Sequence, residues 1–283
     1  MAVKIVTDST ADIPPDLAAE RGIAVVPIYV RFGDRTYRDG VDIAPEEFYR
    51  LLAESPHHPA SSQPTPEDFE GVYAGYCDDA EGILSIHISS KISGTCNSAA
   101  IAAANLQPDC PIEVVDSGLN SAGLAIVVLE AARLALSGLD YATVLQETRA
   151  VLRRTDMFGM FGTMKYLARS GRISRTLAAM ASIINVKPLL TFREGEIVRA
   201  GTVRSLSAGL DRLYGFVESK QDLAEVIIVH SAVPDQAESL RGRLGNLFPG
   251  ERIQVFEMGA GLGVHGGPGV LLVGTREQPP VSP

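Results

Sequence analysis

Tryptophan is missing from this chain, and phenylalanine and tyrosine together supply only 9 and 8 residues. Aromatic platforms for stacking nucleic-acid bases are therefore scarce. Positive charge is short as well: 25 basic side chains against 34 acidic ones leave a formal charge of −9, which excludes a diffuse basic footprint for nucleic acid or an anionic membrane. Only three cysteines occur, Cys77, Cys96 and Cys110, an odd number with no C-x-x-C pair. The histidines His57, His58, His87, His230 and His265 add no metal-ligand spacing, so buried thiols in a reducing compartment are expected, without a metal. The longest apolar stretch, Gly123 to Leu129, is stopped by Glu130 and Arg133, far short of the ~20 residues of a membrane span. The N-terminal run enters a strand pattern without a signal-peptide layout, and a cytoplasmic protein is expected. A P-loop and a G-x-S-x-G elbow are both missing, which removes the common nucleotide cradle and the usual esterase nucleophile.

What is present is aliphatic. The chain has 283 residues, 46% of them hydrophobic, enough for about two domains with real cores and too greasy for disorder. Short Val/Ile-rich runs at Lys4–Thr7, Ala24–Tyr29, Ile83–Ile88 and Ile112–Val115 read as buried strands. Helices lie between them. One starts at Asp12, Pro14 and Pro15 and stops at Gly22; Pro45–Ala53 is another. Thr65-Pro66-Glu67-Asp68 opens a third, with Phe69, Val72, Tyr73 and Tyr76 on one stripe. Further helical runs span Leu119–Leu136 and Tyr141–Arg153. This alternation predicts a doubly wound, mostly parallel sheet over residues 1–155.

After about Thr155 the pattern changes. Pro188–Phe192 and Ile197–Val203 flank Arg193-Glu194-Gly195-Glu196 as a hairpin. Helix Ser207–Ser219, strand Glu225–His230, helix Asp235–Leu247, strand Arg252–Glu257, a glycine-dense turn and a last run at Val270–Gly274 follow. The expectation for residues 156–283 is an α+β domain with a mixed sheet and helices on one side.

Three segments could carry chemistry. Ser89 to Ser98, containing Ser93, Gly94 and Thr95, lies between a strand and an Ala-rich helix, where backbone N–H groups and hydroxyls meet an anion; Ser93 as a plain helix cap is the alternative. Ser61-Ser62-Gln63-Pro64 is a hydroxyl cluster that reads equally as an ordinary loop. The glycine run Gly259–Gly269 holds His265; its formal G-x-G-x-x-G match is rejected, because a strand rather than a helix is expected after it. A basic element, Arg169 to Arg175, either grips a phosphate or a partner or is a solvated helix end.

Together the segments Val6–Pro14, Ser61–Pro64, Ile92–Thr95, Val115–Ser117, Tyr166–Ser174, Val186–Leu190 and the His265 glycine loop resemble the DegV family, in order and over almost the whole chain. Its better-understood members are the fatty-acid-binding subunits of bacterial fatty acid kinase. The resemblance implies one long-chain fatty acid held between the two domains. Its carboxylate would lie on Ser61, Ser62 and Ser93, with His265 close by. A separate ATP-dependent kinase subunit would then make the acyl-phosphate, contacted through Arg172 and Arg204. It implies no cofactor beyond the bound acid, and at most transient membrane contact. Ser61 replaces a frequent threonine and keeps the hydroxyl donor, whereas Cys96 replaces a frequent aromatic and alters the expected pocket. Two competing readings are an acyl hydrolase using Ser93 and His265, and an interaction module with no cavity.

Overall fold

The computed structural model describes residues 2–106, 110–174, 178 and 186–279; Arg175 of the basic element and the end of the Pro-rich tail lie outside them. Four parallel strands, β1 (Ala2–Asp8), β2 (Ile23–Val26), β6 (Ala80–His87) and β7 (Ile112–Asp116), form a sheet in the order β2-β1-β6-β7. Helices α3 (Pro66–Cys77) and α4 (Thr95–Leu106) bury Phe69, Tyr73, Ala99 and Ala102 on one face of it. Helices α1 (Pro15–Glu20), α5 (Ser121–Leu136) and α6 (Tyr141–Leu152) cover the other. The start of α3 follows the sequence closely: Thr65 and Asp68 exchange hydrogen bonds in a capping box.

The expected strand Ala24–Tyr29 is two strands. Pro27 has no N–H for a ladder, and the N–H of Ile28 donates to Ser9 Oγ at 3.0 Å instead. Tyr29 then opens β3 (Tyr29–Phe32), which pairs antiparallel with β4 (Arg35–Arg38) and β5 (Ala60–Ser62) in a small sheet. Ser61 therefore sits on a strand opposite Val30, not in a loop. Helix α2 (Pro45–Glu54) packs Phe48 and Tyr49 beneath this sheet.

The chain enters a six-stranded mixed sheet at Thr155 with β8 (Thr155–Met160), a strand that the local pattern does not mark. The hairpin is β9 (Lys187–Arg193) and β10 (Glu196–Val203), turned at Glu194 and Gly195, both with positive φ. With α7 (Lys165–Ser170), α8 (Leu206–Glu218), β11 (Leu223–His230), α9 (Pro234–Leu244), β12 (Ile253–Glu257), α10 (Ala260–Gly266) and β13 (Leu271–Glu277), the order is β10-β9-β8-β13-β11-β12. Only the β11–β12 pair is parallel. Helices α8 and α9 share one side, as expected. The opposite face is covered by α5, apolar almost all round and wedged between the two sheets, as such a helix must be to escape water.

The glycine-dense segment is not a turn. It folds as α10, against the low helix propensity of its glycines, ~1 kcal/mol each. Tertiary contacts decide this. The N–H groups of Gly259 and Ala260 donate at 2.8 Å to the buried carboxylates of Asp12 and Asp39, and the N–H of Gly261 also donates to Asp39. A side chain at Gly263 would strike the Phe48 ring at 2.4 Å. Gly261 and Gly266 lie inside the helix rather than in the turn before it, so the dinucleotide reading stays rejected on a different ground. Among the described residues no helix is long and apolar enough to cross a membrane.

Candidate functional site

Between the sheets lies a cavity of about 1050 Å³, at the upper end of small-molecule pockets. Its walls are mostly apolar. Met157 and Phe161 come from β8 and the residue after it, Leu190 and Phe192 from β9, Leu272 from β13, and Ile88, Ile92, Met258 and Leu262 from the parallel-sheet side and α10. One group of polar side chains collects at the end bounded by β5, the loop before α4, and α10, while Thr10, Asn120, Thr191, Glu196 and Arg199 also line the wall.

There the structure joins residues remote in sequence. Ser61 Oγ lies 2.7 Å from His265 Nε2. His265 Nδ1 is buried without a partner. Burial, with the neighbouring charges of Arg172 and His58 adding to it, holds the imidazole pKa down to about 4, so the ring is neutral near pH 7. A bare nitrogen is less costly to bury unpaired than an N–H. We therefore assign the proton to Nε2, which donates to Ser61 and leaves the Ser61 hydroxyl free to donate to an acid group.

Ser93 lines the same cavity. Its Oγ accepts from the Thr95 N–H at 3.3 Å and lies 2.8 Å from Thr95 Oγ1, so it braces the start of α4 while facing the cavity. Gln63 connects the two hydroxyl segments: its Nε2 donates to Ser98 Oγ at 3.2 Å, and its amide crosses Gly94 so closely that a Cβ there would sit 2.3 Å away. This explains why a Gln in one motif accompanies a Gly in the other. Ser62 lines the cavity too, but its side chain joins none of these hydrogen bonds.

Arg172, just beyond the left-handed Gly171 that ends α7, is exposed and lines the cavity. Arg204 is exposed on the turn between β10 and α8, outside the lining, whereas Arg199 of β10 is part of it. Ser93 and His265 do not bond to each other; each is engaged with a different hydroxyl, so the pair a hydrolase needs is not formed. Cys96 does not touch the cavity. Its Sγ donates to the Ile88 carbonyl at 3.5 Å, and burial pushes the thiol pKa up to about 12. Among the described residues no group of His, Cys, Asp or Glu is placed to hold a metal ion.

The depressed His265 pKa gives a pH expectation. The unfolded chain takes up this proton near the ordinary value of 6.5, before the folded one does, so stability falls as pH drops from there toward about 4. Replacing His265 by Gln removes up to roughly 3 kcal/mol of that acid loss. Parallel pH–stability curves for the two proteins would contradict the lowering of the His265 pKa by burial.

Fold and cavity define an α/β protein in which a parallel and a mixed sheet close on one apolar pocket with a polar end. The chain belongs to the DegV family: the family description, an uncharacterised protein of the DegV family, matches residues 2–277. A DegV domain-containing protein of Streptomyces coelicolor is 37% identical over 275 residues, covering 95% of this chain and 96% of that one. A Thermus thermophilus structure described as fatty acid binding of a DegV family protein has a TM-score of 0.89 at 33% identity, over 98% of this chain and 100% of its own. The Streptococcus pneumoniae fatty acid kinase B3 protein loaded with linoleic acid shares the fold, with a TM-score of 0.88 at 20% identity over 98% and 100% of the two chains.

Proposed function

We propose that this protein holds a long-chain fatty acid in the slot between its sheets and presents the carboxylate to a separate ATP-dependent kinase subunit. The observation that carries this reading is the pairing of Ser61 with His265, beside Ser93, at one end of a cavity whose wall carries a long run of apolar side chains. The fatty acid binding described for the Thermus relative and the linoleic acid in the S. pneumoniae kinase protein support it. In this reading the carboxylate takes hydrogen bonds from Ser61, Ser62 and Ser93, and His265 holds Ser61. Arg172 at the mouth and the exposed Arg204 contact the partner or the incoming phosphoryl group. Thr155 divides the two domains, and the protein works in the cytoplasm.

The energetics fit a carrier. Burying about fourteen methylenes contributes on the order of 11 kcal/mol gross. Each charge-assisted hydrogen bond at the head adds roughly 1.5–3 kcal/mol before desolvation. The tail sets affinity, and the hydroxyls set which end faces the mouth. Neutral donors orient the anion while leaving it more nucleophilic than a salt bridge would.

Native mass spectrometry of the purified protein is expected to show a co-purified long-chain acid. Empty protein that also refuses added acid would overturn the reading. Ser93→Ala is expected to weaken retention only several-fold, since one donor is lost and the tail contacts stay. Arg172→Ala is expected to bind lipid normally and to support less acyl-phosphate formation with a kinase partner. Loss of lipid binding in that variant would place Arg172 in the head-group site instead.

A further inference from the structure

Among the polar groups of the slot that have no part in holding the head group, Asn120 is both buried and unpaired. Asn120 occupies the N-cap of α5, from which an asparagine ordinarily accepts a hydrogen bond from the first turn; here its side chain makes none. It lines the cavity at 9% exposure, and its Oδ1 is buried with no hydrogen-bond partner. The other end of the amide opens on the slot. Thr10, on the short turn packed against α5, lines the slot too. Its hydroxyl donates to Asp8 Oδ1 at 2.5 Å, so its oxygen keeps only accepting capacity.

Asn120 belongs to the tail end. Two residues on, the carbonyl of Ala122 lies so close to Gly274 of β13 that a Cβ there would be 2.8 Å away, and Gly274 pairs with Met157 of β8. The polar end lies beyond the other end of that strand, where the Phe161 ring stands near Gly266 of the His265 helix. Met157 and Phe161 lie four residue steps apart along β8 and the residue after it, roughly 13 Å.

We infer that Asn120 forms a hydrogen-bonding subsite for an oxygen on the acyl chain, and that the ligand class this slot prefers is a mid-chain hydroxylated long-chain acid. This rests on the fatty-acid reading above. A hydrocarbon tail lying against the amide removes water from it and returns nothing. A hydroxyl both donates and accepts, so it pairs with the slot-facing end of the amide whichever way the amide is turned.

The test compares octadecanoic acid with a positional series of monohydroxylated octadecanoic acids on the full chain. At least one mid-chain isomer is expected to bind about fivefold or more tightly than the plain acid, a margin set by one buried hydrogen bond. Asn120→Val is expected to erase that margin while still binding the plain acid. Where this variant folds poorly, Asn120→Ser, which shortens the side chain away from the slot and restores a cap to α5, is read the same way. Equal binding of all isomers to the unaltered protein, or a preference that survives the substitutions, overturns the subsite alone. Failure of every acid to bind overturns the fatty-acid reading together with it.

Discussion

Decanoic acid is expected to bind this protein about three orders of magnitude more weakly than hexadecanoic acid. The two share a head group, so the contacts at Ser61, Ser93 and His265 are common to both. They differ by about six methylenes, each contributing ~0.8 kcal/mol when taken from water into an apolar wall. The wall is long enough to express this difference, because apolar residues line it from Phe161 to Met157 and across to Leu272. A displacement assay over an even-numbered series reads the slope directly. Affinities that rise by less than about twofold per added methylene would mean that the tail stays in water, and the carrier reading would lose its main energetic support.

Asp39→Ala carries the second large expectation, a loss of about 2–4 kcal/mol in stability with a parallel loss of ligand retention. Asp39 is 4% exposed and lies at the crossing of three elements. Its Oδ1 accepts from the Ala260 N–H at 2.8 Å, and its Oδ2 accepts from Ser9 Oγ at 2.8 Å. Burial pushes its carboxyl pKa up, while hydrogen bonds from Ser9, Gly261 and Ala260 pull it back. Removing the carboxylate leaves the first turn of α10 and the Ser9 hydroxyl without their acceptor in a dry setting. The helix that aims His265 at Ser61 then loses its anchor. A fall in melting temperature of roughly 6–12 °C is expected for a chain of this size. Asp39→Asn keeps one carbonyl acceptor and is expected to recover part of the loss. A melting temperature within about one degree of the unaltered protein in Asp39→Ala would show that packing around Phe48 alone holds α10.

Much of this architecture is readable from local pattern. Thr65-Pro66-Glu67-Asp68 specifies the start of α3 because a cap acts within one turn. Glu194-Gly195 specifies the hairpin because few residues accept positive φ in succession. Ser61, Ser62, Ser93, His265 and Arg172 all stand in recognisable motifs, and all of them line the cavity, while Arg204 lies outside it. Local pattern misleads where a distant partner overrules it. Pro27 splits one expected strand into two, and pairing with Val30 of the second makes a strand of the segment that holds Ser61. Thr10 and Gln63 stand inside motifs without being singled out, and Asn120 and Arg199 carry no mark, because no local pattern shows which side chains face a cavity.

Read without the fold, the chain already specifies the kinds and order of most elements, the divide between a parallel and a mixed sheet, and the hydroxyl and imidazole groups available to bind an acid. Those features depend on periodicity, capping and turn chemistry, which act over a few residues. Only in the folded molecule does Ser61 meet His265 across 204 residues, and only there does a glycine run become a helix because Asp39, 221 residues away, accepts its first N–H groups. Folding also turns α5 into a layer shared by both sheets. Such outcomes depend on burial, which withdraws water from a polar group and leaves only a particular distant partner to satisfy it.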